Sequence, residues 1–185
     1  MRVLLHSCCA PCSSACVMRL KSLGHEVTLY YSNSNIDTIE EFEKRLESLR
    51  TLAKAESVDL VVDEYRHDIW LSDVALGLEG EPEKGKRCAK CYRFNLARTA
   101  AYAREHGFDA FTTSLTVSPH KPSPLVFSKG AEVEAEFAVL GKPFFLQEDF
   151  KKKEGFKISL QRSKDLNLYR QAYCGCNFVS SISFV

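Results

Sequence analysis

Eight cysteines stand in three short groups: Cys8, Cys9, Cys12 and Cys16; Cys88 and Cys91; Cys174 and Cys176. Long cysteine-free stretches separate them, and spacing this tight does not suit a secreted disulfide framework. In a reducing compartment, clustered cysteines bind metal or do redox work. Cys8, Cys9 and Cys12 fall in a turn at the mouth of an expected helix, where free N–H groups and the positive helix end favour thiolate, the form that soft metals need. Cys88-Ala89-Lys90-Cys91 is a C-x-x-C that turns two sulfurs toward one centre, with Lys86, Arg87 and Lys90 adding positive potential. Four converging thiolates suit either a zinc ion or a 4Fe-4S cluster. The adjacent Cys8 and Cys9 favour the cluster, because neighbouring residues cannot easily chelate one tetrahedral zinc, whereas each could take a separate iron of a cube. Cys16, one helical turn past Cys12 among apolar neighbours, reads as structural. Cys174-Gly175-Cys176 is a different signal. A C-x-C disulfide closes a very small, strained ring, which suits an exchangeable two-electron couple; further metal ligation or two idle thiols are the alternatives.

These residues need elements to hold them. Residues 2–7 read as a short apolar strand that runs into the first cysteine loop, and Pro11 suits the first turn of the helix that follows. Gly24 ends that helix. Further strands are expected at 27–31, 60–62, 110–115 and 143–146, and helices at 39–55, 67–76, 88–105 and 124–140, with Asp37 or Thr38 as a helix N-cap. Strand and helix alternate, which implies parallel βαβ units in a doubly wound α/β sheet of about five strands. Ligands in such sheets lie beyond the carboxyl ends of the strands, where the first cysteine loop falls. After Asp149 the pattern turns basic and helical, so the expected organisation is one domain: a sheet core over 1–149 and a C-terminal helical segment over 150–185 that carries the Cys-x-Cys.

The 185 residues, 45% hydrophobic and 26% charged, are enough for one full core. Lysine plus arginine number 25 against 24 acidic residues, so no global basic field announces a nucleic-acid partner, and any such contact is local. Candidates for phosphate contact are Lys84, Lys86 and Arg87 in one loop and Lys151, Lys152, Lys153 and Lys157 in another, with Tyr92, Phe94 or Tyr173 for base stacking. No apolar run reaches the length of about 18 residues that a membrane span requires. The opening residues are too soon interrupted for a secretory signal, so a cytoplasmic location without membrane contact is expected.

The motifs taken together resemble the cobalamin-independent epoxyqueuosine reductase family. The match runs from His6-Ser7-Cys8-Cys9-Ala10-Pro11-Cys12 through Cys88-Ala89-Lys90-Cys91-Tyr92-Arg93, Thr112-Thr113-Ser114-Leu115 and Ser118-Pro119-His120-Lys121 to Tyr169-Arg170-Gln171-Ala172-Tyr173-Cys174-Gly175-Cys176. The resemblance implies reduction of the epoxide of epoxyqueuosine to queuosine at the wobble position of tRNA. It implies a 4Fe-4S cluster on Cys8, Cys9, Cys88 and Cys91, and a redox-active pair in Cys174 and Cys176. It also implies a fold of the adenine nucleotide alpha hydrolase type. The Ser-Gly-Gly-x-Asp-Ser loop of related pyrophosphatases is absent after strand one, which argues against ATP.

Removing an epoxide oxygen takes two electrons and protons, whereas a cluster passes one electron at a time. The second is expected from the Cys174/Cys176 dithiol, recharged by an external electron donor. Alternatively, Cys12 with another side chain holds an additional iron ion. His120 is the candidate proton donor, against a plain loop role. His6 reads as structural or as support to the cysteines, and His25, His67 and His106 as surface residues. Phe108, Phe111, Phe144 and Phe145 read as core.

Overall fold

Val3, Leu4 and Leu5 are buried on both faces of β1 (Arg2–His6), as a continuous apolar run requires of a central parallel strand. In this computed structural model, which describes residues 1–176 and residue 178, β1 pairs in parallel with β2 (Glu26–Tyr31) and with β4 (Ala110–Thr113). With β3 (Asp59–Val62) and β5 (Phe144–Phe145) outside them, the parallel sheet has the order β3-β2-β1-β4-β5.

α1 (Ala10–Ser22) and α2 (Ile39–Glu56) connect the first three strands. α3 (His67–Trp70) runs on into a π-helical turn at Leu71–Ala75, and α4 (Lys86–Glu105) leads to β4. A 3-10 turn at Ser114–Val117 and α5 (Ser123–Phe137) lead to β5, and α6 (Gly155–Asp165) follows. Alternation along the strands sorts the core into two layers. Val3, Leu5, Leu29 and Tyr31 pack with Val17, Leu20, Leu46 and Leu49 of α1 and α2. Leu4, Tyr30 and Phe111 face the other way, onto Leu96 and Ala100 of α4 and Val133 of α5. The fold is therefore the doubly wound α/β sheet that the sequence implied.

Some boundaries differ for local reasons. Thr38 is the N-cap of α2, its Oγ1 accepting from the Glu41 N–H at 3.2 Å. α5 ends at Phe137 rather than near Leu140: Leu140 and Gly141 take left-handed backbone in a turn that bridges Val139 to Lys142, leaving Leu140 fully exposed. Lys151–Lys153 form a turn and not a helix. Gly155 starts α6 so close to Phe150 that a Cβ there would lie 1.7 Å from the Phe150 carbonyl oxygen. After α6, residues 166–176 are irregular, so among the described residues the C-terminal segment is helical only over α6, and the Cys-x-Cys is not on a helix.

Candidate redox and metal site

The chain leaves β1 toward β2 and later places β4 on the opposite side of β1, so the sheet order reverses between β1 and β4. A crevice opens at such a switch point, beyond the carboxyl ends of the two strands. Cys8 and Cys9 follow β1 directly, and Ser114 follows β4. The Cys8 N–H donates to Ser114 Oγ at 3.0 Å, and the Ser114 hydroxyl donates to Cys8 Sγ at 3.2 Å. Cys9 is the extended N-cap residue of α1 but makes no side-chain cap, Pro11 sits in the first turn, and Cys12 lies on that turn. The sulfurs of Cys8, Cys9 and Cys12 all lie within 4.8 Å of one another.

His6 holds this end of the sheet together. Its Nε2 faces the Ser32 carbonyl at 3.2 Å, which can only accept, so Nε2 carries the proton and Nδ1 accepts from Thr113 Oγ1 at 2.9 Å. Burial pushes its pKa down to about 4, so the ring is neutral and structural.

Three thiols this close cannot all ionise without a cation. Hydrogen bonds with Cys12 and then Cys8 hold the Cys9 thiol well below its ordinary range, while bonds with Cys8 and then Cys9, with burial, push Cys12 well above it. At Cys8 a bond from Cys12 works downward, but Cys9 and burial together raise the thiol to about 12. A thiophilic cation would let the three sulfurs ionise together.

The second pair lies at the start of α4. The Lys84 N–H donates to Cys88 Sγ at 3.3 Å, and Trp70 Nε1–H donates to Cys91 Sγ at 3.4 Å. Burial raises both thiols. Amide and indole N–H groups aimed at sulfur are the donors that metal-bound thiolates accept, so these residues fit a thiolate-held metal group. Cys8 and Cys91 share a cavity with Cys9, Cys12 and Cys174, while Cys88 sits behind it, packed with Tyr92, Leu115 and Val126 beside Cys8.

The third group is brought in by α2. Arg45, 3% exposed, donates from Nη1 to the Cys174 carbonyl at 3.1 Å and from Nη2 to the Tyr173 carbonyl at 3.3 Å, while its Nε pairs with Glu41 at 2.7 Å. The Asp37 N–H donates to the Gly175 carbonyl at 2.8 Å, and Tyr173 OH donates to Asp37 at 2.7 Å. Gly175 has φ +125, and a Cβ there would lie 3.2–3.3 Å from Asn35, Ile36 and Arg45, so the docking requires glycine. Cys174 and Cys176 are free thiols in this structure.

The structure revises several expectations. Arg87 is 1% exposed and donates to the carbonyls of Leu78, Glu79 and Glu81, so it staples its own loop and does not meet phosphate or the cysteine pair's sulfurs. Tyr92 is buried at the cavity wall, Tyr173 is half-buried with its OH on Asp37 and Arg45 over its ring, and Phe94 is half-buried beneath Arg98. Lys151 Nζ holds the carbonyls of Ser118 and Lys121, whereas Lys84, Lys86, Lys152, Lys153 and Lys157 are exposed. His67 is no surface residue: it bonds the Ser34 carbonyl at 2.8 Å and stacks between Tyr65 and Trp70. His25 is half-buried, and His106 is exposed beside the Tyr102 ring. Cys16 is fully buried, as a structural thiol should be, Phe108, Phe111 and Phe145 are core, and His120 lines the cavity. The cation that does reach a cysteine is Lys121, whose Nζ donates to Cys174 Sγ at 3.1 Å. It was legible only as part of Ser118-Pro119-His120-Lys121. Trp70, Arg45 and Ser114 carried no signal of their own.

Fold and site define an α/β protein with a thiol-lined cavity at the switch point of a parallel sheet, suited to metal and redox chemistry. Residues 3–181 match the family model described as epoxyqueuosine reductase QueH. The chain is 34% identical over 179 residues to the epoxyqueuosine reductase QueH of Thermotoga maritima, covering 95% of this chain and 88% of that one. It is 33% identical over 186 residues to the protein of the same name from Streptococcus pyogenes, covering 97% and 71%. A relative from Staphylococcus epidermidis with the same name is 34% identical over 186 residues, covering 97% and 76%. The chain belongs to the epoxyqueuosine reductase QueH family and is an oxidoreductase of that kind. No helix among the described residues is long and apolar enough to cross a membrane.

Proposed function

We propose that this chain reduces epoxyqueuosine to queuosine in tRNA, with a 4Fe-4S cluster on Cys8, Cys9, Cys88 and Cys91 and a redox-active pair in Cys174 and Cys176. One observation carries the reading: cysteines from all three sequence groups, Cys8, Cys9, Cys91 and Cys174, line one cavity at the sheet's switch point. The N–H and O–H donors on Cys8, Cys88 and Cys91 support it. When bound, such a cluster supplies electrons one at a time. The chain's own dithiol supplies a pair. Two thiols that become a disulfide give up two electrons and two protons, and an epoxide that accepts them leaves a carbon–carbon double bond and water. His120 lines the same cavity, which supports reading it as the proton donor to the departing oxygen. Exposed Lys84, Lys86, Lys152, Lys153 and Lys157 are the side chains available for tRNA phosphates. We place the reaction in the cytoplasm, where free thiols persist and an external reductant recharges the pair. Residues 1–185 are taken as a single domain, with the C-terminal segment clasped by α2.

Anaerobic purification with iron and sulfide analysis, then reduction and incubation with epoxyqueuosine-containing tRNA, tests the reading. About four irons and four sulfides per chain with queuosine formed support it. Zinc without sulfide would make the cysteines structural. The close trio favours a second reading, in which Cys12 helps hold an additional iron. Iron beyond four that disappears in Cys12→Ser supports that reading.

A further inference from the structure

Cys174 and Cys176 are two residues apart, yet their surroundings differ. Cys174 lines the cavity, its sulfur accepting the Lys121 ammonium at 3.1 Å. Cys176 is 6% exposed and packs against Trp70, Val74 and Ala75. Gly175 turns the chain between the two environments, at a φ of +125 that L side chains avoid. Lys121 has a defined place. Lys151 Nζ grips the carbonyls of Ser118 and Lys121 at 3.2 and 2.7 Å, which fixes the loop that delivers the ammonium. The ammonium lies 5.5 Å from the Tyr92 ring centre, and among the described residues no carboxylate pairs with it. With no carboxylate at hand, the part-buried ammonium makes its hydrogen bond to the Cys174 sulfur. On the opposite side, Arg45 holds the Cys174 carbonyl at 3.1 Å, so backbone and sulfur are each secured by a different cation.

We propose that Cys174 is the sulfur that meets the oxidised partner, that Cys176 is the sulfur that closes the disulfide behind it, and that Lys121 is the positioning residue that holds Cys174 ready in the cavity. The proposal rests on reading the two cysteines as a redox pair. Thiol–disulfide chemistry proceeds through an accessible, anionic sulfur, and an adjacent cation favours that form. With an aromatic disulfide as oxidant, Cys174 attacks one sulfur, the S–S bond breaks and one aromatic thiolate leaves. Cys176 then attacks Cys174 Sγ, forming the internal disulfide and releasing the second aromatic thiolate. Two protein thiols are oxidised, one disulfide is reduced to two thiols, and two protons go to solvent.

The test treats cluster-loaded protein, kept anaerobic, with 5,5′-dithiobis(2-nitrobenzoate) and follows each cysteine by time-resolved peptide mass spectrometry. Expected in the wild type is attack at Cys174 followed by a Cys174–Cys176 disulfide. Cys176→Ser should stop at the mixed disulfide on Cys174. Lys121→Met should slow modification of Cys174 about tenfold at neutral pH, and Lys121→Arg should restore most of the rate, which loss of local packing alone would not produce. Modification that begins at Cys176, or an unchanged Cys174 rate in Lys121→Met, overturns the proposal while leaving the redox pair in place. Full turnover on substrate tRNA in both Cys174→Ser and Cys176→Ser would remove the redox pair itself, and the proposal with it. The wild-type time course needs no variant, so the order of the two sulfurs can be refuted even where a substitution impairs folding.

Discussion

Replacing Arg45 by Met should unfasten the segment that carries Cys174 and leave the sheet intact. Methionine keeps the volume of the buried stem and removes the cation. That cation pairs with Glu41 at 2.7 Å and donates to the carbonyls of Cys174 and Tyr173 at 3.1 and 3.3 Å. Removing one partner of a buried ion pair costs about 3–5 kcal/mol, because the remaining groups lose their donor without regaining water. What still ties the segment down is the Asp37 N–H to the Gly175 carbonyl, Tyr173 OH to Asp37, Lys121 Nζ to Cys174 Sγ, Tyr169 OH to Glu41 and the Tyr169 N–H to Ser48 Oγ, of which the neutral bonds are worth about 1 kcal/mol each. The Asp37 amide is itself a reporter, since it exchanges with solvent only when the Gly175 carbonyl lets go. A loss of about 3 kcal/mol in docking corresponds to exchange on the order of a hundredfold faster at Asp37. The Leu146 amide, bonded to the Phe111 carbonyl at 2.8 Å in the sheet, serves as the control. Hydrogen exchange followed by NMR reads both. If Asp37 and Leu146 accelerate by the same factor, Arg45 supports the whole fold rather than the segment, and an unchanged Asp37 would show that the guanidinium does not hold it.

Other substitutions probe the rest of the site. His6 has a folded pKa near 4 against 6.5 unfolded, so the folded state binds fewer protons between those values. Stability is therefore fully present above the unfolded value and should fall by up to roughly 3 kcal/mol as pH drops through that window. Urea melts should show this slope flattened in His6→Gln, and parallel curves would refute it. Trp70→Phe removes the indole N–H from Cys91 Sγ, so iron content should hold while the potential in film voltammetry falls by about tens of millivolts. An unmoved potential would mean that Cys91 is not a ligand. Arg87→Met should destabilise the chain by about 3 kcal/mol, since four carbonyls lose their donor, and should leave the salt dependence of tRNA binding unchanged. A salt slope reduced by about one in the variant would return Arg87 to phosphate contact.

What could be read in the sequence was what local pattern controls. The apolar run Val3-Leu4-Leu5 of β1 names a central strand because no polar residue interrupts it. The helix expected over 39–55 is found at Ile39–Glu56, its start marked by the Thr38 cap. The cysteine groups announced themselves through residue type and spacing. Lys121 and Arg45 did not, because the residues they hold lie 53 and 129 positions away and a lone lysine or arginine carries no spacing signal. Arg87 was misread for the opposite reason. In Lys84-Gly85-Lys86-Arg87 it belongs to a charge run that looks like a solvated face, yet the loop folds back and presents carbonyls to it. The end of α5 depends on a left-handed turn at Leu140, a residue that does not ordinarily mark such backbone, whereas the left-handed Asn167 after α6 is of a type that commonly takes it.

The two halves of the site are built to different standards of rigidity, and the proposed chemistry explains why. Cys8, Cys9, Cys88 and Cys91 come from the end of β1, the N-terminus of α1 and the first turns of α4, each locked into the core by strand pairing or helix packing. A group with fixed bond lengths to four sulfurs needs that rigidity. Cys174 and Cys176 lie instead on irregular chain, fastened to α2 by side chains. Closing a disulfide between residues two apart requires both sulfurs and the intervening peptide to shift. In a helix or strand that shift would break ladder hydrogen bonds, whereas around Gly175 it disturbs one bond to Asp37 and the grip of Arg45. Placing the dithiol on a tethered segment would let it change redox state beside the proposed cluster, which must not move.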